Sequence, residues 1–109
     1  HIVQHLVQAG ADLNQANAKG ATPLFMAAQE GFTHVVQQLV QAGADLNQAK
    51  TDGVTPLYWP ASYGHTQVVE TLLAAGADPT LGAHNPLTAA KQNGHTAIQA
   101  LLLAAGATE

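Results

Sequence analysis

Cysteine and arginine are both absent from this chain of 109 residues. Without cysteine, the chain has no disulfide bond, no thiolate metal ligand and no cysteine nucleophile. Its basic residues are Lys19, Lys50 and Lys91, which lie far apart in a chain with a net charge of −4. We therefore expect no binding to nucleic acid or to an anionic membrane surface, because no basic patch would displace counterions from phosphates.

Aromatic residues make up only 5% of the chain, although 47% of its residues are apolar. The core must therefore be thin and evenly spread. No stretch has the length of a membrane-spanning helix or the layout of a signal peptide, and we expect a cytoplasmic or nuclear protein. The chain starts at His1 within an apolar helical pattern, so we interpret it as part of a longer protein.

An internal repeat organises the whole sequence. The segment LVQAGADLNQA at 6–16 recurs without change at 39–49, which is 33 residues later, and Thr-Pro-Leu recurs at the same interval. The last interval is shorter by three residues. These landmarks divide a single domain, 1–109, into a partial repeat at 1–17, repeats at 18–50 and 51–83, and a shortened repeat at 84–109.

Each full unit contains the signals for two short helices. Thr22 and Thr55 are predicted to cap the first helix, and Pro23 and Pro56 suit its first position. The first helix ends at Gly31 in one unit and at an equivalent glycine in the next, where a left-handed residue is favourable. The second helix carries an apolar stripe, and a turn-rich segment follows it. Two such helices cannot bury their stripes alone, so neighbouring units must stack.

The two complete units resemble ankyrin repeats. The segments KGATPLFMAAQEGFTHVVQQLVQAGADLN (19–47) and DGVTPLYWPASYGHTQVVETLLAAGADP (52–79) follow the family pattern in phase with the 33-residue period. The resemblance implies an all-α solenoid of stacked helix-turn-helix units with β-turn fingers. It also implies a scaffold that binds another protein and has no enzyme activity of its own.

The last unit departs from the family pattern in a way that suggests a C-terminal cap. Lys91 stands where the second alanine of the pattern is normally packed, and the finger before this unit is shortened. A charge at a packing position suits a unit whose outer face meets water. In the same pattern, the histidine after Thr-Pro-Leu is replaced by Phe25, Tyr58 and Thr88.

By resemblance, the partner binds on the concave face and the fingers. Positions three and four apart share a helix face, which groups Met26 with Gln29 and Glu30, Trp59 with Ser62 and Tyr63, and Ala89 with Gln92 and Asn93. The expected packed side consists of Leu24, Ala27 and Ala28, and of Leu57, Pro60 and Ala61. The predicted binding residues are Met26, Gln29, Glu30, Trp59, Ser62 and Tyr63 on the helices, with Lys19, Thr51, Asp52 and Val54 on the fingers.

Pro60 is unexpected within a first helix. It removes a backbone hydrogen bond and crowds the carbonyl of Pro56, so we expect a bent or loosened helix. Two interpretations of the neighbouring Trp59 remain open. Trp59 and Tyr63 form an anchor for a partner, or Trp59 fills space around the bend.

Metal and catalytic sites are not predicted. His1 and His5 have the spacing of a helical metal pair, but no carboxylate lies nearby in sequence, and His65 and His95 occupy the family's structural Gly-His position. Ser62 and His65 have the sequence spacing of a catalytic dyad. However, the glycine between them ends the helix and no orienting acid is evident, so we do not predict a dyad. We expect no cofactor.

Two further hypotheses concern the repeat edges. Asn14 and Asn47 lie in a context that resembles the one for asparaginyl β-hydroxylation in ankyrin repeats, although turn geometry explains the same residues. The partial repeat lacks its first helix, which leaves the stripe of Ile2, Val3, Leu6 and Val7 partly uncovered. The alternative function is therefore self-association through this half-repeat, giving a weak dimer instead of a monomer.

Overall fold

The computed structural model describes residues 15–108. Within this range the chain forms six α-helices and no strand, arranged as three consecutive helix pairs. The helices are α1 (Pro23–Glu30), α2 (Thr33–Gln41), α3 (Tyr58–Tyr63), α4 (Thr66–Ala74), α5 (Pro86–Gln92) and α6 (Thr96–Ala104). One pair falls in each of the units 18–50, 51–83 and 84–109, so the all-α fold predicted from the sequence is confirmed.

The first helix of unit 18–50 begins and ends as predicted. The hydroxyl of Thr22 accepts a hydrogen bond from the backbone N–H of Phe25 at 3.1 Å, and Pro23 occupies the first turn, where its missing N–H costs nothing. Gly31 closes the helix with φ 76°. A residue with a side chain is strained in this left-handed region, so glycine is the natural end of the helix.

The first helix of the next unit begins later than predicted. Thr55 does not cap it, because α3 starts at Tyr58 with Leu57 as the residue before it, and no side chain caps this end. The hydroxyl oxygen of Thr55 is buried without a hydrogen-bond partner. The predicted cap at Thr55 is therefore wrong.

Pro60 explains this late start. A helix that began at Pro56 would place Pro60 where a backbone N–H must be donated. In the actual helix Pro60 lies in the first turn, where N–H groups have no partner within the helix. The backbone closes the preceding turn differently, with Tyr58 donating to the carbonyl of Thr55 at 3.2 Å. The chain thus accommodates the proline by giving up the beginning of the helix.

The second helices form the other side of the stack and carry the predicted apolar stripes. Their buried residues are Val36 and Leu39 in α2, Val68, Val69 and Leu72 in α4, and Ile98 and Leu102 in α6. The first helices contribute Leu24, Ala28, Ala61, Leu87 and Ala90 to the same core, and Leu57, directly before α3, joins them. The buried cluster runs through all three units, as stacking of neighbours requires.

The turns between units form the predicted fingers, which we define as residues 17–21 and 50–54. Each finger closes on itself, as in the hydrogen bond from the N–H of Lys50 to the carbonyl of Val54 at 3.0 Å. The fingers also join each other, because the N–H and the hydroxyl of Thr51 both donate to the carbonyl of Lys19, at 3.0 and 2.9 Å. This pairing holds successive fingers in one row.

The shortened unit uses a different residue to start its first helix. Asn85 stands in place of the threonine, and its side-chain oxygen accepts a hydrogen bond from the N–H of Leu87 at 2.9 Å. Its side-chain nitrogen donates to the carbonyl of Thr108 at 2.7 Å, which ties the start of α5 to the segment after α6. No helix in residues 15–108 is long and apolar enough to cross a membrane.

Candidate functional site

The exposed side of the first helices, which we call the first-helix face, contains the six helical residues predicted to bind. Met26 is 45% exposed and Tyr63 is 53% exposed. Glu30 is also exposed, whereas Gln29, Trp59 and Ser62 are half-buried. The opposite side of α1 and α3 is buried as predicted, through Leu24, Ala27, Ala28, Leu57, Pro60 and Ala61.

The shortened unit continues this face only in part. Ala89 has the position of Met26 and Trp59 but is buried, while Gln92 and Asn93 are exposed. The face therefore changes from large apolar and aromatic side chains in the first two units to polar side chains in the last.

Trp59 and Tyr63 form a stacked pair at the centre of this face. Their ring centroids are 5.2 Å apart with an interplanar angle of 23°, because residues four apart in a helix lie one above the other. Trp59 also packs against a small buried cluster of Ala21, Phe25 and Val54. Trp59 thus fills space beneath the finger and supports an exposed Tyr63, while the interpretation of the pair as an anchor for a partner stays a prediction.

His84, which is not among the predicted site residues, belongs to the same aromatic group. Its ring lies 5.5 Å from that of Tyr58, which in turn meets Trp59 edge-on at 4.9 Å. His84 directly precedes Asn85, which stands in place of Thr55, so His84 occupies the position of Val54. It contacts Tyr58 much as Val54 contacts Phe25, and the repeat register after the deletion could have located this contact.

The fingers contribute charged groups beside the face. Lys19, Thr51 and Asp52 are exposed. Asp52 accepts a hydrogen bond from the backbone N–H of Val54 and pairs with Lys50 at 3.5 Å. These contacts lower the pKa of the Asp52 carboxyl, the bond from Val54 having the largest effect.

Val54 differs from the other predicted finger residues. Only 3% of it is exposed, and it packs against Phe25 in the small cluster beneath the finger. A branched apolar side chain gains more from this burial than from exposure. We therefore correct its place: Val54 is buried beneath the finger and is not exposed for contact with a partner.

The two histidines at the start of the second helices connect neighbouring units. The His65 ring lies against Gly31, and the His95 ring lies in the same way against Gly64. His95 Nε2 is 3.0 Å from the carbonyl oxygen of Ser62, while the Ser62 hydroxyl accepts a hydrogen bond from the Asn93 side chain at 3.3 Å. These contacts give both histidines a structural role.

No group of three potential metal ligands occurs in residues 15–108. His1 and His5, the pair with metal-ligand spacing, lie outside the described residues. Asn14 does as well. Asn47 is described, and its side-chain oxygen accepts a hydrogen bond from the N–H of Asp78 at 2.9 Å. This asparagine therefore links its turn to the equivalent turn of the next unit.

The described part of the chain is thus a helical solenoid, with helix pairs stacked in register, a row of connected fingers and an exposed first-helix face. A family model described as ankyrin repeats (3 copies) matches residues 1–83. The chain belongs to the ankyrin repeat family. Ankyrin repeats are generally protein–protein interaction modules, and their family typically consists of scaffolds without enzyme activity. No curated protein matches the chain significantly.

Proposed function

We propose that this protein is a scaffold that binds another protein through its first-helix face, which corresponds to the concave face of the family, and through its fingers. The observation that carries the proposal is the exposure of Tyr63 on the rigid support of Trp59. Large aromatic residues contribute strongly to protein interfaces, and a side chain that is already held in place loses little entropy on binding. The proposed binding residues are Met26, Gln29, Glu30, Trp59, Ser62 and Tyr63 with Lys19, Thr51 and Asp52.

The fingers support the same proposal. Because hydrogen bonds from Thr51 fix the second finger to the first, their exposed side chains form a preordered row next to the helices. A partner that contacts both surfaces would meet groups from two consecutive units, 18–50 and 51–83.

An affinity capture with matched variants tests this function. The first variant, Met26→Ala with Tyr63→Ala, removes two exposed side chains of the first-helix face. The control, Phe32→Ala with Leu103→Ala, removes two side chains of similar exposure, 57% and 54%, elsewhere on the molecule. We expect a partner that the wild type and the control retain and the first variant loses. Equal retention by all three would contradict the proposal.

We also infer that the unit 84–109 is cap-like. Lys91 and Gln99 lie at positions where the preceding unit has Ala61 and Val69, which are both completely buried. Lys91 is exposed and Gln99 is half-buried. Polar side chains at these two positions suit an outer face in contact with water.

Self-association through residues 1–17 stays a prediction, since its residues lie outside the described part of the chain. No described contact favours it over the scaffold. Hydroxylation of Asn14 or Asn47 is likewise a hypothesis, and the bond from Asn47 to Asp78 gives that asparagine a structural use already.

A further inference from the structure

Unit 18–50 contains a cation held between an aromatic ring and a carboxylate. The ammonium nitrogen of Lys50 lies 5.2 Å from the centre of the Phe25 ring and 3.5 Å from a carboxylate oxygen of Asp52. The face of an aromatic ring attracts a cation, and a neighbouring carboxylate adds a second favourable contact. The fold thus already accommodates this combination of groups.

Unit 51–83 has no cation at the equivalent position, but it exposes more aromatic surface. The position equivalent to Lys50 is Ala83, 33 residues later, and the three-residue deletion follows it. Tyr58 takes the place of Phe25 in this unit, and Tyr63, at the position of Glu30, adds a further ring of which 53% is exposed. Trp59 stacks on Tyr63 and is itself packed on the small cluster that includes Phe25. The Tyr63 ring is therefore a supported aromatic surface.

A carboxylate lies one unit away at the same position of the repeat. Glu30 and Tyr63 are 33 residues apart, each the last residue of its first helix. These helices pack against each other, and packed helices have axes about 8–10 Å apart. Glu30 is exposed, and no basic side chain within residues 15–108 pairs with it. An extended cationic side chain can reach both groups together.

We propose that the first-helix face binds an arginine side chain of the protein partner, with the guanidinium over Tyr63 and paired with Glu30. This inference rests on the scaffold function proposed above and specifies the chemistry of its partner. A planar guanidinium stacks on an aromatic ring and also pairs with a carboxylate through two N–H groups. This chain has no arginine and a net charge of −4, so the cation comes from the partner.

Peptide selection tests the inference and does not require the partner itself. A library of random heptapeptides displayed on phage is selected on the immobilised chain and on the variants Tyr63→Ala, Glu30→Gln and Glu70→Gln. Glu70 is an exposed glutamate of α4 and serves as the matched control for Glu30. We expect arginine to be enriched on the wild type and on the Glu70 variant, and not on the Tyr63 and Glu30 variants.

The other outcomes separate this inference from the proposed function. Selected peptides that depend on Tyr63 but contain no excess of arginine would overturn the arginine site and leave the scaffold function standing. Equal enrichment of lysine would overturn the guanidinium assignment. If no selected peptide depended on Tyr63, both the arginine site and binding on this face would be overturned.

The single tryptophan of the chain then provides a direct measurement. A selected peptide is titrated while Trp59 fluorescence is recorded, and the titration is repeated with citrulline in place of its arginine. Citrulline has nearly the same shape without the charge, so we expect about two- to five-fold weaker binding, and a similar loss for Glu30→Gln. Unchanged affinity in both cases would overturn the proposal.

Discussion

The His95 imidazole reaches back by one unit, and its Nε2 lies 3.0 Å from the carbonyl oxygen of Ser62. Ser62 is in the last turn of α3, so this contact joins the end of one first helix to the start of a second helix in the next unit. The same ring covers Gly64, where an added Cβ atom would lie 2.7 Å from His95 Cε1. The glycine and the histidine thus depend on each other.

This dependence predicts that Gly64→Ala is more destabilising than Gly94→Ala. Both glycines have positive φ, 85° and 74°, so both variants lose about 1–2 kcal/mol from backbone strain. A Cβ atom at Gly64 would also clash with the His95 ring, whereas nothing lies within 4 Å of a Cβ atom at Gly94. We expect a further loss of about 1 kcal/mol or more at Gly64. Urea unfolding followed by circular dichroism measures the difference.

A His95→Ala background provides the control for this comparison. Without the imidazole, the additional cost of Gly64→Ala should disappear, since coupling between contacting residues is measured by such a cycle. An additional cost that persisted would show that the clash with His95 is not its source.

Thr22 and Thr55 occupy equivalent positions, but we predict that their hydroxyl groups contribute differently to stability. Thr22→Val removes the hydrogen bond to the N–H of Phe25 and should lower the free energy of unfolding by about 1 kcal/mol. Thr55→Val removes a buried hydroxyl without a partner and should be neutral or stabilising. Thermal and urea unfolding of the two variants decide this. Equal losses would contradict the late start of α3.

Pro60→Ala should stabilise the protein by about 1 kcal/mol or more. Alanine restores a backbone N–H and allows α3 to extend toward Pro56, with Thr55 free to cap it as Thr22 caps α1. The expected result is a higher melting temperature and more helical circular dichroism signal. An unchanged or lower melting temperature would show that the proline costs nothing.

The cap itself is tested by combining the two substitutions. In the Pro60→Ala background, Thr55→Val should now cost about 1 kcal/mol, because the hydroxyl has gained a backbone partner. If Thr55→Val remained neutral there, the proline would not be the cause of the unused threonine.

Acid should weaken the turns that contain Asp52 and Asp78. The hydroxyl and the backbone N–H of Thr80 both donate to Asp78, at 2.6 and 2.9 Å, and lower the pKa of its carboxyl below the ordinary 3.8. The folded chain therefore binds fewer protons than the unfolded chain in this range. This contribution to stability is present above pH 3.8 and is lost as the pH falls through the lower pKa.

Two measurements check the acid dependence. Carboxyl carbon chemical shifts should give Asp78 a pKa below 3.8, and unfolding at a series of pH values should show a decline that begins near this pH. In Asp78→Ala the decline should be shallower. A pKa at or above the ordinary value would contradict the two hydrogen bonds from Thr80.

The alternative of self-association predicts a mass that depends on protein concentration. Analytical ultracentrifugation across a hundred-fold range of concentration would detect a weak dimer. We expect Leu6→Glu to abolish a dimer that forms through the stripe of Ile2, Val3, Leu6 and Val7, whereas Leu103→Glu, an exposed position in α6, should not affect it. A constant monomer mass would argue against the alternative.

The sequence predicted the regular features of this fold because they recur with a fixed period. Identical spacing of Thr-Pro-Leu and of the glycines placed the units, and helical periodicity correctly assigned Leu24 and Ala28 to the core. The prediction was wrong where one unit departs from the others. Thr55 has the same local sequence as Thr22, but Pro60, five residues further on, prevents the helix from starting there.

The site was predictable only in outline. Helical spacing grouped Trp59 with Tyr63, yet it gave no information on how deeply each is buried, because that depends on the neighbouring unit. Val54 was assigned to the finger surface from its position in the turn, and its burial against Phe25 depends on the packing of that turn. The contact of His84 with Tyr58 corresponds to that of Val54 with Phe25, and only the register after the deletion reveals it.

The shortened α3 also affects where local unfolding of the molecule begins. In a linear array each unit is held only by its neighbours, and α3 lies between α1 and α5, with six residues against eight and seven. Local opening begins where the fewest backbone hydrogen bonds hold the chain. The amide protons of α3 should exchange with solvent before those of the helices on either side. Within residues 15–108 the array would then separate first at unit 51–83, next to Trp59, and a partner bound as proposed above would slow the exchange.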